Sequence, residues 1–238
     1  MMLITAARVL GQLRGDRRTV ALILALPCLL LGLIAWMFDG TPVLDQLGPQ
    51  LVGIFPLIVM FLVTSVATLR ERQSGTLERL MTTPARKGDL VGGYALAFAA
   101  LALLQAFVVV AFAVAVGMDV SGPLWLVVLV ALLNAVLGSC LGLAASALAR
   151  TEFQAVQLMP ATIFPQLIVC GLIMPRDQMP EILEWVSRAF PLTYAVDAMQ
   201  QIAAGAEWAD VAGSAGVTAA FIVGAVGLGV VTLRRRTP

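Results

Sequence analysis

The chain has 238 residues, of which 60% are hydrophobic and 12% charged, with a formal net charge of +1. A soluble domain carries about 25% charged residues, so this composition excludes a large water-soluble domain and points to a membrane protein. Histidine is absent, which removes the commonest metal ligand and general base and argues against Ser-His or His-metal proteolysis and haem held by histidine.

The mean hydropathy of +0.96 is concentrated in six runs: 20–38, 51–69, 90–118, 123–149, 154–175 and 211–233. None contains Asp, Glu, Lys or Arg. A helix needs about 20 apolar residues to cross a hydrocarbon core of about 30 Å. Each run is therefore expected to span, with the long third and fourth runs tilting or projecting. The expected fold is an all-α polytopic membrane protein forming one transmembrane domain over 1–238.

Before the first run, Leu3, Ala6, Ala7, Leu10 and Leu13 recur at helical spacing while Arg8, Arg14 and Arg17 lie elsewhere on the surface. This predicts a helix over 3–18 lying in the membrane interface. No A-x-A-like site follows the first run, so no cleavable signal is expected. Cys28, Cys140 and Cys170 sit inside apolar runs without a CxxC and read as small buried hydrophobes.

The second run carries Thr64, Ser65 and Thr68 and opens into the most charged stretch of the chain, 70–89. Ser74 or Thr76 can cap a helix there and Glu78 suits its first turn. Leu77, Leu80 and Met81 then share one face. Thr83 and Pro84 read as a second helix start. Two short helices with a compact apolar face and both charge signs suit docking by another protein. A solvated loop anchoring the membrane ends fits the same residues.

In the fourth run Gly138, Gly142 and Ser146 form a small-residue ridge, as do Gly216, Ala220 and Gly224 in the sixth. Such ridges permit close helix packing, here expected within the subunit. The fifth run holds Gln154, Gln157, Thr162 and Gln166, with Pro160 and Pro165 breaking it. The connection 176–210 shows two stripes: Ile182, Trp185, Val186 and Ala189, ended by Pro191, and Leu192, Val196, Met199 and Ala203, which Gly205 can cap. Two short re-entrant helices dipping into the outer leaflet are expected, with Trp185 and Tyr194 as interfacial anchors. A small extracytoplasmic cap is the alternative. Asp177, Glu181, Glu184 and Asp197 form the outer carboxylate cluster and read as a solvated rim.

Thirteen of the fifteen Lys and Arg residues fall before the first run, between two and three, between four and five, or after six; only Arg176 and Arg188 lie on the other side. By the positive-inside rule both termini are cytoplasmic. Lys87 is the one lysine among these fifteen, which suggests a GC-rich bacterial genome and hence the cell (plasma) membrane.

Glu71, Gly75, Thr76, Leu77, Glu78, Leu80, Thr83 and Pro84 together resemble the motif of ABC-2 type transporter permeases, in the loop after their second span. Met179, Pro180, Glu181 and Leu183, with the run Phe190 to Ala198, are similar to the segment between spans five and six of that family. The resemblance covers the whole chain. It implies a permease subunit that pairs with a second copy or a related permease and docks on an ABC ATPase subunit. The loop after span two would then be the coupling element, with Glu71, Gly75, Thr76, Glu78, Leu80 and Pro84 matching its motif. Leu77, Leu80 and Met81 would supply contact, while Glu78, Arg79 and Arg86 would set register. The N-terminal helix would also touch the ATPase.

No G-x-x-x-x-G-K-[ST] phosphate loop is present, so ATP and Mg are expected on the partner ATPase, no cofactor on this chain, and no enzyme activity of its own. In the family, spans two and five line the translocation route, which assigns Thr64, Ser65, Thr68, Gln157, Thr162 and Gln166 to it. Ordinary interhelical hydrogen bonding is the alternative for these groups. Ionisable residues are absent from the spans, which favours an external energy source over an ion-coupled carrier. The expected substrate is an amphiphilic small molecule, drug or membrane lipid; nucleic acid is not an expected partner. Export is expected over import because no segment resembles a docking site for a substrate-binding protein.

Overall fold

The computed structural model describes residues 2–74 and 87–232. Among these the regular structure is helical throughout: α1 (Met2–Gly15), α2 (Arg17–Met37), α3 (Val43–Gln73), α4 (Lys87–Ala115), α5 (Leu124–Leu148), α6 (Glu152–Val169), a 3₁₀ turn (Arg176–Gln178), α7 (Glu181–Ser187), α8 (Pro191–Ala203) and α9 (Trp208–Thr232). Among the described residues five stretches are long and apolar enough to cross a membrane: Thr19–Met37, Val43–Gln73, Gly92–Ala115, Leu124–Leu148 and Trp208–Gly227. Helix α6, with its glutamines and two prolines, is not among them. It also stops short of the expected 154–175, because Cys170 caps it and Gly171 turns the chain at φ +96°.

The expected interfacial helix over 3–18 is broken at Asp16. Its carboxylate accepts from the Thr19 N–H at 3.2 Å and starts α2, so Arg17 and Arg18 belong to the next helix. Helix α1 folds over the start of α4, where Gly93 leaves room: a Cβ there would lie 2.6 Å from Thr5 Cβ. Ala6 and Val9 are buried in this contact with Tyr94 and Phe98, whereas Leu3 and Ile4 face outward. The single stripe read from spacing is thus divided between two faces.

Helix α3 is the axis of the fold. Its 31 residues extend about 46 Å at 1.5 Å per residue, well beyond a hydrocarbon core. It packs closely on α5 along the ridge of Gly138 and Gly142. A Cβ on Gly138 would sit 2.2 Å from the Leu57 carbonyl oxygen, and one on Gly142 would sit 2.4 Å from that of Phe61. Around this seam Ile54, Leu57, Phe61, Leu137, Ile163, Leu192 and Val196 form one apolar cluster that joins α3, α5, α6 and α8.

The second ridge behaves differently. A Cβ on Gly216 or Gly224 would meet nothing within 4 Å, so the expected packing of this ridge inside the subunit is not made. Helix α8 begins with Pro191 at its first turn, buries Leu192, Val196 and Met199, and ends at Ala203, with Gly205 just past its cap Ala204 closing it. With Gly205 at φ +95°, its N–H donates to Ile202 O at 3.0 Å and the Ala206 N–H to Gln201 O at 2.9 Å. This is the paired closure of a Schellman end.

Candidate functional site: the charged end of the bundle

The last turn of α3 carries Arg70, Glu71, Arg72 and Gln73, residues expected from sequence to open the loop 70–89. They are helical instead, as are residues 87–89 at the start of α4. Ser74, a candidate N-cap, is the C-cap of α3: its N–H donates to Arg70 O at 2.9 Å and its hydroxyl to Glu71 O at 3.0 Å. Of the coupling residues named from sequence, Gly75, Thr76, Leu77, Glu78, Arg79, Leu80, Met81, Pro84 and Arg86 lie outside the described residues; Glu71 lies within them.

Glu71 turns toward α1. Its carboxylate accepts from Arg8 at 3.4 and 3.5 Å, and Arg8 also donates to the Tyr94 hydroxyl at 3.0 Å. One guanidinium thereby joins α1, α3 and α4. On the opposite side, Arg70 donates bidentately to Glu152 at 2.8 and 2.9 Å, a geometry that fixes orientation as well as distance. The Arg70 hydrogen bond holds the Glu152 carboxyl below its ordinary range. Arg72 donates to Ser146 O, and Gln73 Nε2 donates to Arg150 O at 2.9 Å.

The polar residues assigned to a pathway differ in their exposure. Thr64, Ser65 and Thr68 on α3 and Gln166 on α6 are buried within the subunit, Thr162 is half-buried, and Gln157 is exposed. Ser65 donates to Leu62 O at 2.9 Å, Thr162 to Leu158 O at 2.7 Å and Gln166 Nε2 to Thr162 O at 2.9 Å. The buried oxygens Thr64 Oγ1, Thr68 Oγ1 and Gln166 Oε1 have no hydrogen-bond partner. Asn134 was not singled out by sequence reasoning, yet it is 1% exposed with neither carboxamide atom bonded. Its signal was readable: it is the sole amide side chain in the run 123–149.

At the other end, Arg176 pairs with Asp197 and Gln200 Nε2 donates to Gly171 O at 3.3 Å, tying the chain after α6 to α8. Burial pushes the Asp197 carboxyl up, partly opposed by Arg176, so this member of the expected solvated rim is a clasp instead. Trp185 is exposed with Arg188 4.7 Å over its ring, and the Tyr194 hydroxyl donates to Arg188 O at 2.8 Å. Ile182, Leu183, Trp185 and Val186 all remain exposed on α7. Among the described residues no group of three or more His, Cys, Asp or Glu side chains gathers where it could hold a metal ion.

Residues 1–203 match the family model described as ABC-2 type transporter. The chain is 32% identical over 160 residues to ABC transporter G family member 20 of Dictyostelium discoideum, covering 67% of this chain and 22% of that protein. It is 27% identical over 155 residues to the probable multidrug ABC transporter permease YbhR of Escherichia coli K12, covering 65% of this chain and 42% of that one. It is 27% identical over 169 residues to the linearmycin resistance permease protein LnrN of Bacillus subtilis 168, covering 70% and 43%. The chain therefore spans less than half the length of each of these three relatives. It belongs to the ABC-2 type transporter family, as a multi-pass membrane protein.

Proposed function

We propose that this chain is the permease subunit of an ATP-driven exporter that moves an amphiphilic small molecule, drug or lipid out of the cytoplasm. It works as a pair, with a second copy or a related permease, each docked on a separate ABC ATPase subunit that carries ATP and Mg. It resides in the plasma membrane with both termini cytoplasmic. The relatives' names speak of multidrug permeases and linearmycin resistance, which favours a drug-like substrate.

The observation that carries the reading is the position of the charged end. The α3 turn held by Arg8, Glu152, Ser146 and Arg150 leads directly into Gly75, Thr76, Leu77, Glu78, Leu80 and Pro84, the segment that resembles the family's coupling loop. A force applied there enters a helix already braced on both sides. Leu77, Leu80 and Met81 supply the contact with the ATPase, and Glu78, Arg79 and Arg86 its register. Thr64, Ser65, Thr68, Gln157, Thr162 and Gln166 are the groups proposed to face the route in some stage of the cycle.

The test is to purify the tagged chain from its native membrane in mild detergent. A stoichiometric ATPase should accompany it and be lost on Leu80→Asp, while the variant stays monodisperse. Retention of the ATPase by Leu80→Asp would remove the loop from the interface. Solute movement by the chain without any ATPase would instead favour an ion-coupled carrier.

A further inference from the structure

Helix α5 ends at Leu148, and its cap Ala149 takes an extended backbone that carries the chain off the helix, so its last carbonyls need donors from elsewhere. The Ala149 N–H closes on Ala145 O at 3.1 Å, but the next N–H, of Arg150, donates to the side chain of Gln154 at 2.8 Å. The Ser146 carbonyl is thus left without its backbone donor, and Arg72 of α3 supplies one. A cation at a helix C-terminus also meets the negative end of the helix dipole. Four residues after Ser146, Gln73 holds the Arg150 carbonyl, and Arg70 grips Glu152 in the first turn of α6. Three side chains from a single turn of α3 therefore hold the whole α5–α6 connection, 74 to 82 residues away in sequence.

We infer that Arg70, Arg72 and Gln73 are positioning residues that make the α5–α6 turn move with the end of α3. The inference rests on the permease reading above. Motion arriving at residues 75–86 would then reach α6 through these side chains, without passing along α4 and α5. Helix α6 suits such a drive. Pro160 and Pro165 each remove an internal hydrogen bond and make it a place to bend, and its Gln157, Thr162 and Gln166 are among the polar groups assigned to the route. Of the three grips, Arg70–Glu152 is the one whose charges can be exchanged.

The test uses the full chain with its co-purified ATPase, after replacing Cys28, Cys140 and Cys170 with alanine. Gln157→Cys on α6 is the reporter, read as its maleimide labelling rate with and without ATP and Mg. A change of about fivefold on adding nucleotide is expected, the lower end of ordinary inter-site coupling. Arg70→Glu should abolish that change while the ATPase still co-purifies in full amount. The pair Arg70→Glu with Glu152→Arg should restore it, which a general loss of packing would not allow.

Arg70→Glu retaining the whole response, or the exchanged pair binding the ATPase yet staying unresponsive, overturns the inference and leaves the permease reading intact. If the parent chain brings down no ATPase, the permease reading itself fails and this inference falls with it. That result is read before any variant is made.

Discussion

At the scale of single residues, the α3–α5 seam is made by side chains that are absent. Gly138 and Gly142 let α5 lie against the carbonyls of Leu57 and Phe61 at distances no Cβ tolerates. In a bilayer, helix association relies on such close packing, since lipid tails are as apolar as leucine. Gly142→Val must therefore push α3 and α5 apart, at an overpacking cost of about 1–3 kcal/mol. Gly216→Val is the matched control, because a Cβ there meets open space, and its effect should stay within about 0.5 kcal/mol. The measurement is the thermal midpoint of each variant in one detergent. A midpoint for Gly142→Val no lower than that of the control would mean the α3–α5 seam is looser than described.

At the scale of elements, the long apolar helices follow from hydropathy alone, and the observed ends of α2, α4, α5 and α9 fall within a few residues of the runs read from sequence. The ends of α1, α3 and α6 were harder to read, for physical reasons. Asp16 stops α1 by capping its neighbour, and two adjacent helices with similar spacing look like one. Arg70, Glu71 and Arg72 look like loop because they are charged, yet each finds a partner from another helix and helical geometry continues through them. Those partners are 63 to 82 residues away, beyond any local pattern.

Helix α7 shows the reverse case. Its stripe was legible, yet Ile182, Leu183, Trp185 and Val186 stay exposed within the subunit. A run of large apolar side chains on so short a helix needs a cover. The other tryptophans supply the argument for lipid: Trp36 ends α2, Trp125 starts α5 and Trp208 starts α9, all exposed. With Trp185 they form a belt at one end of the bundle, the level at which indoles sit in a membrane interface. With Trp36, Trp125 and Trp208 replaced by Phe, Trp185 fluorescence should be quenched by lipids brominated near the headgroup. Equal emission in brominated and ordinary lipid would place α7 in water, as an extracytoplasmic cap.

For the whole molecule, the two ends of the bundle differ in kind. One gathers Arg8, Arg70, Arg72 and Arg150 with the start of α4 and the α5–α6 turn. The other carries the tryptophans, the Arg176–Asp197 clasp and the turn where the Asp119 N–H donates to Asp45 at 2.8 Å. The excess of arginine and the tryptophans thus lie at opposite ends, as topology rules require of an inserted chain. Cationic loops resist translocation, so the arginine end is expected in the cytoplasm. In a chain freed of Cys28, Cys140 and Cys170, Asp177→Cys should react on intact cells with a maleimide that cannot cross the membrane. Gly15→Cys should react only after the cells are opened. The reverse pattern would invert the protein, move the segment 75–86 outside, and put it beyond the reach of any ATP-driven partner. The orientation test thus decides whether the coupling mechanism is geometrically available before any transport assay is built.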